Sequence, residues 1–254
     1  MNLLPIFAAF MLTTIATVTA AETDTRVFEM RTYYAAPGRL DDLHARFRDH
    51  TTKLFAKHGM TNIGYWTPIE NTENKLIYVL AYPSREARDA AWKEFNADPD
   101  WQAARKASEA HGKIVARTES RFFSATDFSP AIEPSAGTPP RTFELRTYTT
   151  TPENLPLLFS RFRDHTTALF ARHGMTNFAY WTPIAGQKDA GITLIYLLAH
   201  PSEEAAKKAW DAFRADPEWI AAKQASEEKA GGSLTLPDGM QSVFLQPTDY
   251  SPTR

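Results

Sequence analysis

The chain repeats itself, and this limits its fold more than any other feature. Phe28-Glu29-Met30-Arg31-Thr32-Tyr33 returns as Phe143-Glu144-Leu145-Arg146-Thr147-Tyr148. Arg46-Phe47-Arg48-Asp49-His50-Thr51-Thr52 returns unchanged from Arg161 to Thr167, and Tyr65-Trp66-Thr67-Pro68-Ile69 from Tyr180 to Ile184. The offset is 115 through this stretch and 118 by Leu76-Ile77-Tyr78 against Leu194-Ile195-Tyr196, which places a short insertion near Gly186 to Gly191. Thr126-Asp127-Phe128-Ser129-Pro130 closes the first copy as Thr248-Asp249-Tyr250-Ser251-Pro252 closes the second. Two copies with so long a period mean a duplicated domain rather than a solenoid. We divide the chain into repeat 1 (26–128), a Pro-, Ser- and Gly-rich linker (129–140) and repeat 2 (141–250).

Within a repeat, Val27 to Tyr33 alternates as a strand, with Phe28, Met30 and Thr32 on one face and Glu29, Arg31 and Tyr33 on the other. Leu40, Leu43, Phe47 and Leu54 follow at helical spacing, with His50 on the missing rung and Gly59 as the stop. Thr61 to Thr67 and the nearly all-apolar Leu76 to Tyr82 read as strands. Ser84 is a candidate N-cap for a helix carrying Trp92 and Phe95. Asp98-Pro99 opens a short helix, and a last strand spans about 117 to 124. The order β-α-β-β-α-β is the ferredoxin-like unit, whose antiparallel sheet is bare on one face. The expected fold is therefore α+β: two such units whose sheets face each other as a fused, pseudo-two-fold barrel with helices outside. On this reading Glu29, Arg31 and Tyr33, with Glu144, Arg146 and Tyr148, point into the barrel.

These motifs together resemble the NIPSNAP family: Phe-Glu-x-Arg-Thr-Tyr on the first strand, His-Gly after the first helix, Tyr-Trp on the second strand, and Trp92-x-x-Phe95-x-x-Asp98-Pro99-x-Trp101. The resemblance covers both repeats. It implies the dimeric α+β barrel group, with the two halves of the dimer fused in one chain. That group includes cofactor-independent monooxygenases, haem-dependent enzymes, isomerases and decarboxylase-like proteins. Animal NIPSNAP members are associated with mitochondria and with protein and vesicle interactions.

The candidate catalytic residues are His50 and His165 as general bases, Arg31 and Arg146 as anion stabilisers, and Tyr33 and Tyr148 as positioning donors. Glu29, Glu144, Tyr65, Trp66, Tyr180 and Trp181 are candidates for the substrate wall. Each also has a structural reading: His50 and His165 as hydrogen-bonded packing residues, Arg31 and Arg146 as ion-pair partners of Glu29 and Glu144, and the aromatics as core. The tryptophans at 92, 101, 210 and 219 read as packing.

Zero cysteines exclude Cys-ligated metal sites and a thiolate nucleophile. No His-x-x-x-His run places two ligands on one helical face, so no metal and no resident cofactor are expected. The phosphate-loop, Gly-x-Gly-x-x-Gly and Gly-x-Ser-x-Gly signatures are missing. A net charge of -2 without a basic stripe argues against nucleic-acid binding. The working function is binding of a small aromatic or carbonyl-bearing molecule in the barrel, with cofactor-free proton transfer or oxygenation as its reaction. The alternative is a non-catalytic interaction module with a filled barrel, and a further homo-oligomer or protein partner is compatible with either.

Residues 1 to 21 carry no charged side chain, and Val18 and Ala20 fit the small-residue rule of a signal-peptidase site, although the n-region lacks Lys and Arg. The apolar run is short for a membrane span of about 20 residues. We expect export to the periplasm or medium, with no stable membrane span after cleavage. N-terminal sequencing of the secreted fraction should begin at Ala21; a chain beginning at Met1 there overturns this.

Overall fold

A computed structural model describes residues 23–254. The expected signal segment, residues 1–20, lies outside the described residues. Repeat 1 contributes β1 (Val27–Ala35), α1 (Leu40–Arg46), a π-helical turn (Phe47–Thr51), α2 (Thr52–Lys57), β2 (Thr61–Pro68), β3 (Lys75–Tyr82), α3 (Arg85–Ala97), α4 (Pro99–Ser108) and β4 (Val115–Ala125). Repeat 2 follows as β5 (Thr142–Thr150), α5 (Leu155–Arg161), a second π-helical turn (Phe162–Thr166), α6 (Thr167–Arg172), β6 (Thr176–Pro183), β7 (Thr193–His200), α7 (Glu203–Ala215), α8 (Pro217–Ala230) and β8 (Thr235–Pro247). The expected caps form. Ser84 and Ser202 accept from the backbone N–H groups of Ala87 and Ala205, and Asp98 and Asp216 accept from those of Asp100 and Glu218.

The strands close one antiparallel barrel in the order β1-β3-β2-β8-β5-β7-β6-β4. Each repeat supplies a four-stranded ferredoxin-like sheet, and two short seams join them. Phe123 to Ala125 of β4 pair with Trp181 to Pro183 of β6, and Trp66 to Pro68 of β2 pair with Leu245 to Pro247 of β8. The lumen is packed by residues from both repeats, among them Phe28, Trp66, Val79, Phe143, Trp181 and Leu197. The packing is reciprocal: Phe28 lies 5.9 Å from Trp181, and Trp66 lies 5.5 Å from Phe143. The segment read as a linker takes part, because Ile132 is fully buried in this core.

The facing of β1 and β5 is opposite to the sequence expectation. Phe28 and Met30 point into the lumen, and Glu29, Arg31 and Tyr33 point outward beneath the helices, as do Glu144, Arg146 and Tyr148. The core of the lumen is packed by apolar side chains, whereas α3 and α7 offer polar partners. His50 also differs from expectation. The π-helical turn shifts the phase of the helix, so Thr51 takes the buried rung and His50 turns to solvent. Thr51 Oγ1 donates to the Arg46 carbonyl at 3.1 Å, and Thr166 does the same to Arg161 at 3.0 Å.

After its last strand each repeat crosses to the other. Thr126 N donates to Tyr180 O, Tyr180 N donates to Ser129 Oγ, Asp127 pairs with Arg163, and Phe128 packs on Phe159 and Tyr180. Symmetrically, Thr248 N donates to Tyr65 O, Tyr65 N donates to Ser251 Oγ, Asp249 pairs with Arg48, and Tyr250 packs on Phe47 and Tyr65. The Thr-Asp-aromatic-Ser motif is thus a reciprocal clasp between halves. Phe128→Ala and Tyr250→Ala should each lower stability by about 2 kcal/mol and add in the double variant, because they sit in separate clusters. Urea unfolding measures this, and a loss under about 0.5 kcal/mol for both would remove the clasp from the account.

Candidate functional site

Beneath α3, β1 presents a carboxylate with no contact with solvent. Glu29 Oε1 accepts from Arg31 Nη1 (2.5 Å), Arg88 Nη2 (2.7 Å) and Ser120 Oγ (2.7 Å). Glu29 Oε2 accepts from Arg88 Nε (2.9 Å), Tyr82 OH (3.1 Å) and Trp92 Nε1 (3.2 Å). Burial alone would push this carboxyl up, but the Arg88 hydrogen bonds, the Arg31 charge and Ser120 outweigh it and hold it down at about 2. Arg31 lies over the Trp92 ring at 4.4 Å.

Repeat 2 keeps the centre and thins its surroundings. Glu144 accepts from Arg146 Nη1 (2.5 Å), Ser242 Oγ (2.6 Å) and Trp210 Nε1 (2.7 Å). Ala206 stands where repeat 1 has Arg88, and His200 stands where it has Tyr82. His200 Nε2 lies 3.2 Å from Glu144 Oε2, at ion-pair range but without hydrogen-bond geometry. Burial again pushes the Glu144 carboxyl up; His200, Arg146, Ser242 and Trp210 hold it at about 2.

Each centre floors a cleft between the outer face of the sheet and the second helical pair. In repeat 1 the cleft is about 470 Å³ and is lined by Arg31, Tyr33, Arg46, Arg88, Trp92 and Trp101, among others. In repeat 2 it is about 890 Å³, with Arg146, Tyr148, Arg161, Trp210 and Trp219 at its wall. A further depression of about 470 Å³ opens beside Glu144, on the side where Arg88 lies in repeat 1. The larger cleft follows from local sequence. Helix α8 is longer than α4, 14 residues against 10, and ends at Gly231 with φ of 70°. A bulge in β8 then carries the exposed Met240 to the rim. At the neighbouring Gly239 a Cβ would sit 2.5 Å from the Thr149 carbonyl oxygen, so only glycine fits.

Of the residues singled out from sequence, Arg31 with Tyr33 and Arg146 with Tyr148 line the clefts, and Glu29 and Glu144 stand behind the arginines. The other candidates are elsewhere. Trp66 and Trp181 fill the lumen. Tyr65 and Tyr180 are fully buried under the first helices, their hydroxyls donating to Asn62 and Asn177. His50 lines outer hollows of about 500 Å³, one with Asp49 and Lys53 and one with Asp49 and Arg46, and His165 is half-exposed on the same turn of repeat 2; neither lines the clefts that hold Arg31 and Arg146. Sequence reading passed over Arg88, Ser120, Ser242 and the paired Arg46 and Arg161, and it gave the Trp92 and Trp210 indoles no polar role. The identical Arg-Phe-Arg-Asp-His-Thr-Thr runs were a usable signal for Arg46 and Arg161. Among the described residues no group of three or more His, Asp and Glu side chains is placed to hold a metal ion, and no helix is long and apolar enough to cross a membrane.

Barrel, outer helical layer and duplicated strand centre define a fused dimeric α+β barrel. The NIPSNAP family model matches residues 28–130 and 143–252, and the chain belongs to that family. Among solved structures, an uncharacterized NIPSNAP domain protein from Burkholderia xenovorans is 26% identical, covering 41% of this chain and 98% of its own, with a TM-score of 0.37. A "putative monooxygenase" from Lactobacillus acidophilus matches at 13% identity over 88% of this chain and 94% of its own, with a TM-score of 0.54. An anthrone oxidase-like protein matches at 13% identity over 91% and 94%, with a TM-score of 0.53. The last two share the fold. No curated protein matches the chain.

Depressed carboxyls carry a pH dependence. Their stabilisation is complete above the unfolded value near 4.5 and is lost as pH falls toward about 2. By linkage each contributes roughly 3 kcal/mol. Glu29→Gln, which leaves Arg31 and Arg88 without their shared carboxylate, should cost about 3 kcal/mol at pH 7 and flatten the acid limb of stability between pH 4.5 and 2. Denaturant melts across that range check it; an acid limb as steep as wild type would contradict the assignment.

Proposed function

We propose that this protein binds a small, apolar-bodied molecule in the helix–sheet cleft of repeat 2, and that it does so after export. The observation carrying this is the cleft itself: about 890 Å³, aromatic on its walls, with the Arg146 guanidinium fixed at its floor by Glu144 and donating to Tyr148 OH at 3.2 Å. Ligand sites commonly occupy about 300–1,000 Å³ with a few oriented polar groups. The ligand expected in the barrel is reassigned to the cleft because Phe and Trp rings pack the lumen.

Proton transfer would need an acceptor working near neutral pH. Glu144 is held ionised at about 2 and is surrounded by donors, which makes it a weak base. Arg146 and Tyr148 are suited instead to orienting a carbonyl or oxyanion. Oxygenation, which the names of two fold neighbours suggest, is the reaction to assay first on any ligand found. The packed lumen also favours a second reading, an interaction module acting through its outer helices.

The test is a melting panel of aromatic acids, quinones and other carbonyl compounds against the mature protein. One ligand should raise Tm saturably, by an amount equivalent to about 2.7 kcal/mol at a hundred times Kd. Trp219→Ala should abolish the shift, and Trp101→Ala, its counterpart in repeat 1, should keep it. A panel without shifts, or a shift indifferent to Trp219, moves the assignment to the interaction module.

A further inference from the structure

The two clefts differ in a way that identifies what the larger one takes. Arg46 and Arg161 are twins, each ending the first helix of its repeat, each buried and each stacked 5.2 Å over a tryptophan, Trp101 or Trp219. In repeat 1 the charge is matched: Arg46 Nη1 lies 3.2 Å from Glu109 Oε1. Glu227 occupies the equivalent position in repeat 2, but its carboxylate lies 4.0 Å from Lys223 Nζ instead. Arg161, only 7% exposed, is left with the Ser226 hydroxyl at 3.2 Å; its Nε, like that of Arg46, has no partner. Among the described residues no carboxylate comes within 4.0 Å of it. Burial pulls the Arg161 value down, as it does that of the paired Arg46, and Glu227 opposes it only through its charge at a distance. A buried cation without an anion is costly, and a ligand anion would relieve it.

The rims diverge in the complementary sense. Ile220, 51% exposed, and Met240, 58% exposed, edge the cleft of repeat 2. Gln102 and Thr118 hold those positions in repeat 1, where Arg88 and Lys113 add charge to the lining. One cleft therefore joins an inner arginine without a carboxylate in contact to an apolar stretch of rim, with Arg214, Lys223, Glu227 and Glu228 also in its lining; in the other the corresponding arginine is paired with Glu109 and the edge is polar.

Building on the cleft reading above, we infer that repeat 2 binds an organic carboxylate with an apolar body, its carboxylate on Arg161 and its body along Trp219, Ile220 and Met240, and that repeat 1 binds none. Arg161 acts as the anion anchor through charge-assisted donors. The chain carries one such site, although its fold offers two equivalent places.

The experiment is calorimetric titration of the mature protein with naphthoate and with its neutral analogue naphthalenemethanol. Wild type should bind one naphthoate per chain and bind the alcohol at least tenfold more weakly. Arg161→Gln should erase that preference while leaving the weak binding of the alcohol in place. Should Arg161→Gln not fold, Met240→Glu at the exposed rim replaces it: naphthoate binding should weaken about tenfold, and Thr118→Glu, its counterpart in repeat 1, should bind as wild type. Equal affinity for acid and alcohol overturns the anion assignment and leaves the cleft reading standing. Two naphthoates per chain, or equal loss in Thr118→Glu, overturns the asymmetry between repeats. Binding of neither probe overturns both readings.

Discussion

Closing two sheets face to face produces an interior that cannot satisfy a polar group. Water is excluded, the strand backbones are engaged in the ladder, and every side chain entering must be content without partners. Phe28, Phe143, Val79, Leu197 and the two tryptophans meet that condition nearly in full. The indole Nε1 atoms of Trp66 and Trp181 are the exception, buried without acceptors. Each forfeits about 1–3 kcal/mol for an unmade hydrogen bond, set against a burial gain of similar or larger size for so large a ring. Strand alternation then does the rest. With Phe28 and Met30 inside, Glu29, Arg31 and Tyr33 must lie under the helices, and α3 has to supply partners for them. The polar centre and the cleft above it follow from the dryness of the lumen.

Fusion adds a second constraint. The clasps place Tyr250 of the second repeat in the aromatic layer of the first, and Phe128 of the first in the layer of the second. Neither half can leave without uncovering the other, so the pair stays in register whatever happens at the clefts. Two identical chains would be obliged to carry two identical clefts. A fused pair need not, because each position now exists twice in the sequence and can change once. Gln102 against Ile220 and Thr118 against Met240 are changes of that kind, both at cleft rims and both away from the clasps.

Much of this architecture was legible because it is local. The element order and the Ser and Asp caps depend on spacings within a few residues of one another, and the duplication needs only the matching of two stretches 115 to 118 residues apart. The facing of β1 was not legible. A strand alternating Phe, Met, Thr with Glu, Arg, Tyr fits either parity, and the partners present in both repeats are distant in sequence: Trp92 and Ser120 lie 63 and 91 residues from Glu29. His50 failed for a different reason. A ladder of threes and fours assumes an unbroken α-helix, and one π-helical turn hands the rung to Thr51. Trp92 and Trp210 were correctly expected to pack, but an indole has a donor: that of Trp210 goes to Glu144, and that of Trp92 is shared between Tyr82 OH at 2.9 Å and Glu29 at 3.2 Å.

The centre of repeat 2 shows how the fold holds its buried carboxylate without a counterpart of Arg88. Replacing Arg88 by an alanine alone would take a bidentate cation from a carboxylate that is still buried, a loss of several kcal/mol. Ala206 does not stand alone. His200 replaces Tyr82 on the adjacent strand and brings Nε2 to 3.2 Å from Glu144, while Trp210 shortens its hydrogen bond to 2.7 Å, against 3.2 Å for Trp92. The carboxylate therefore keeps its charge, with its value still near 2, and the space that the Arg88 side chain fills in repeat 1 is open beside it. The polar centre is thus a structural requirement in both repeats, and what differs between them is the space around it.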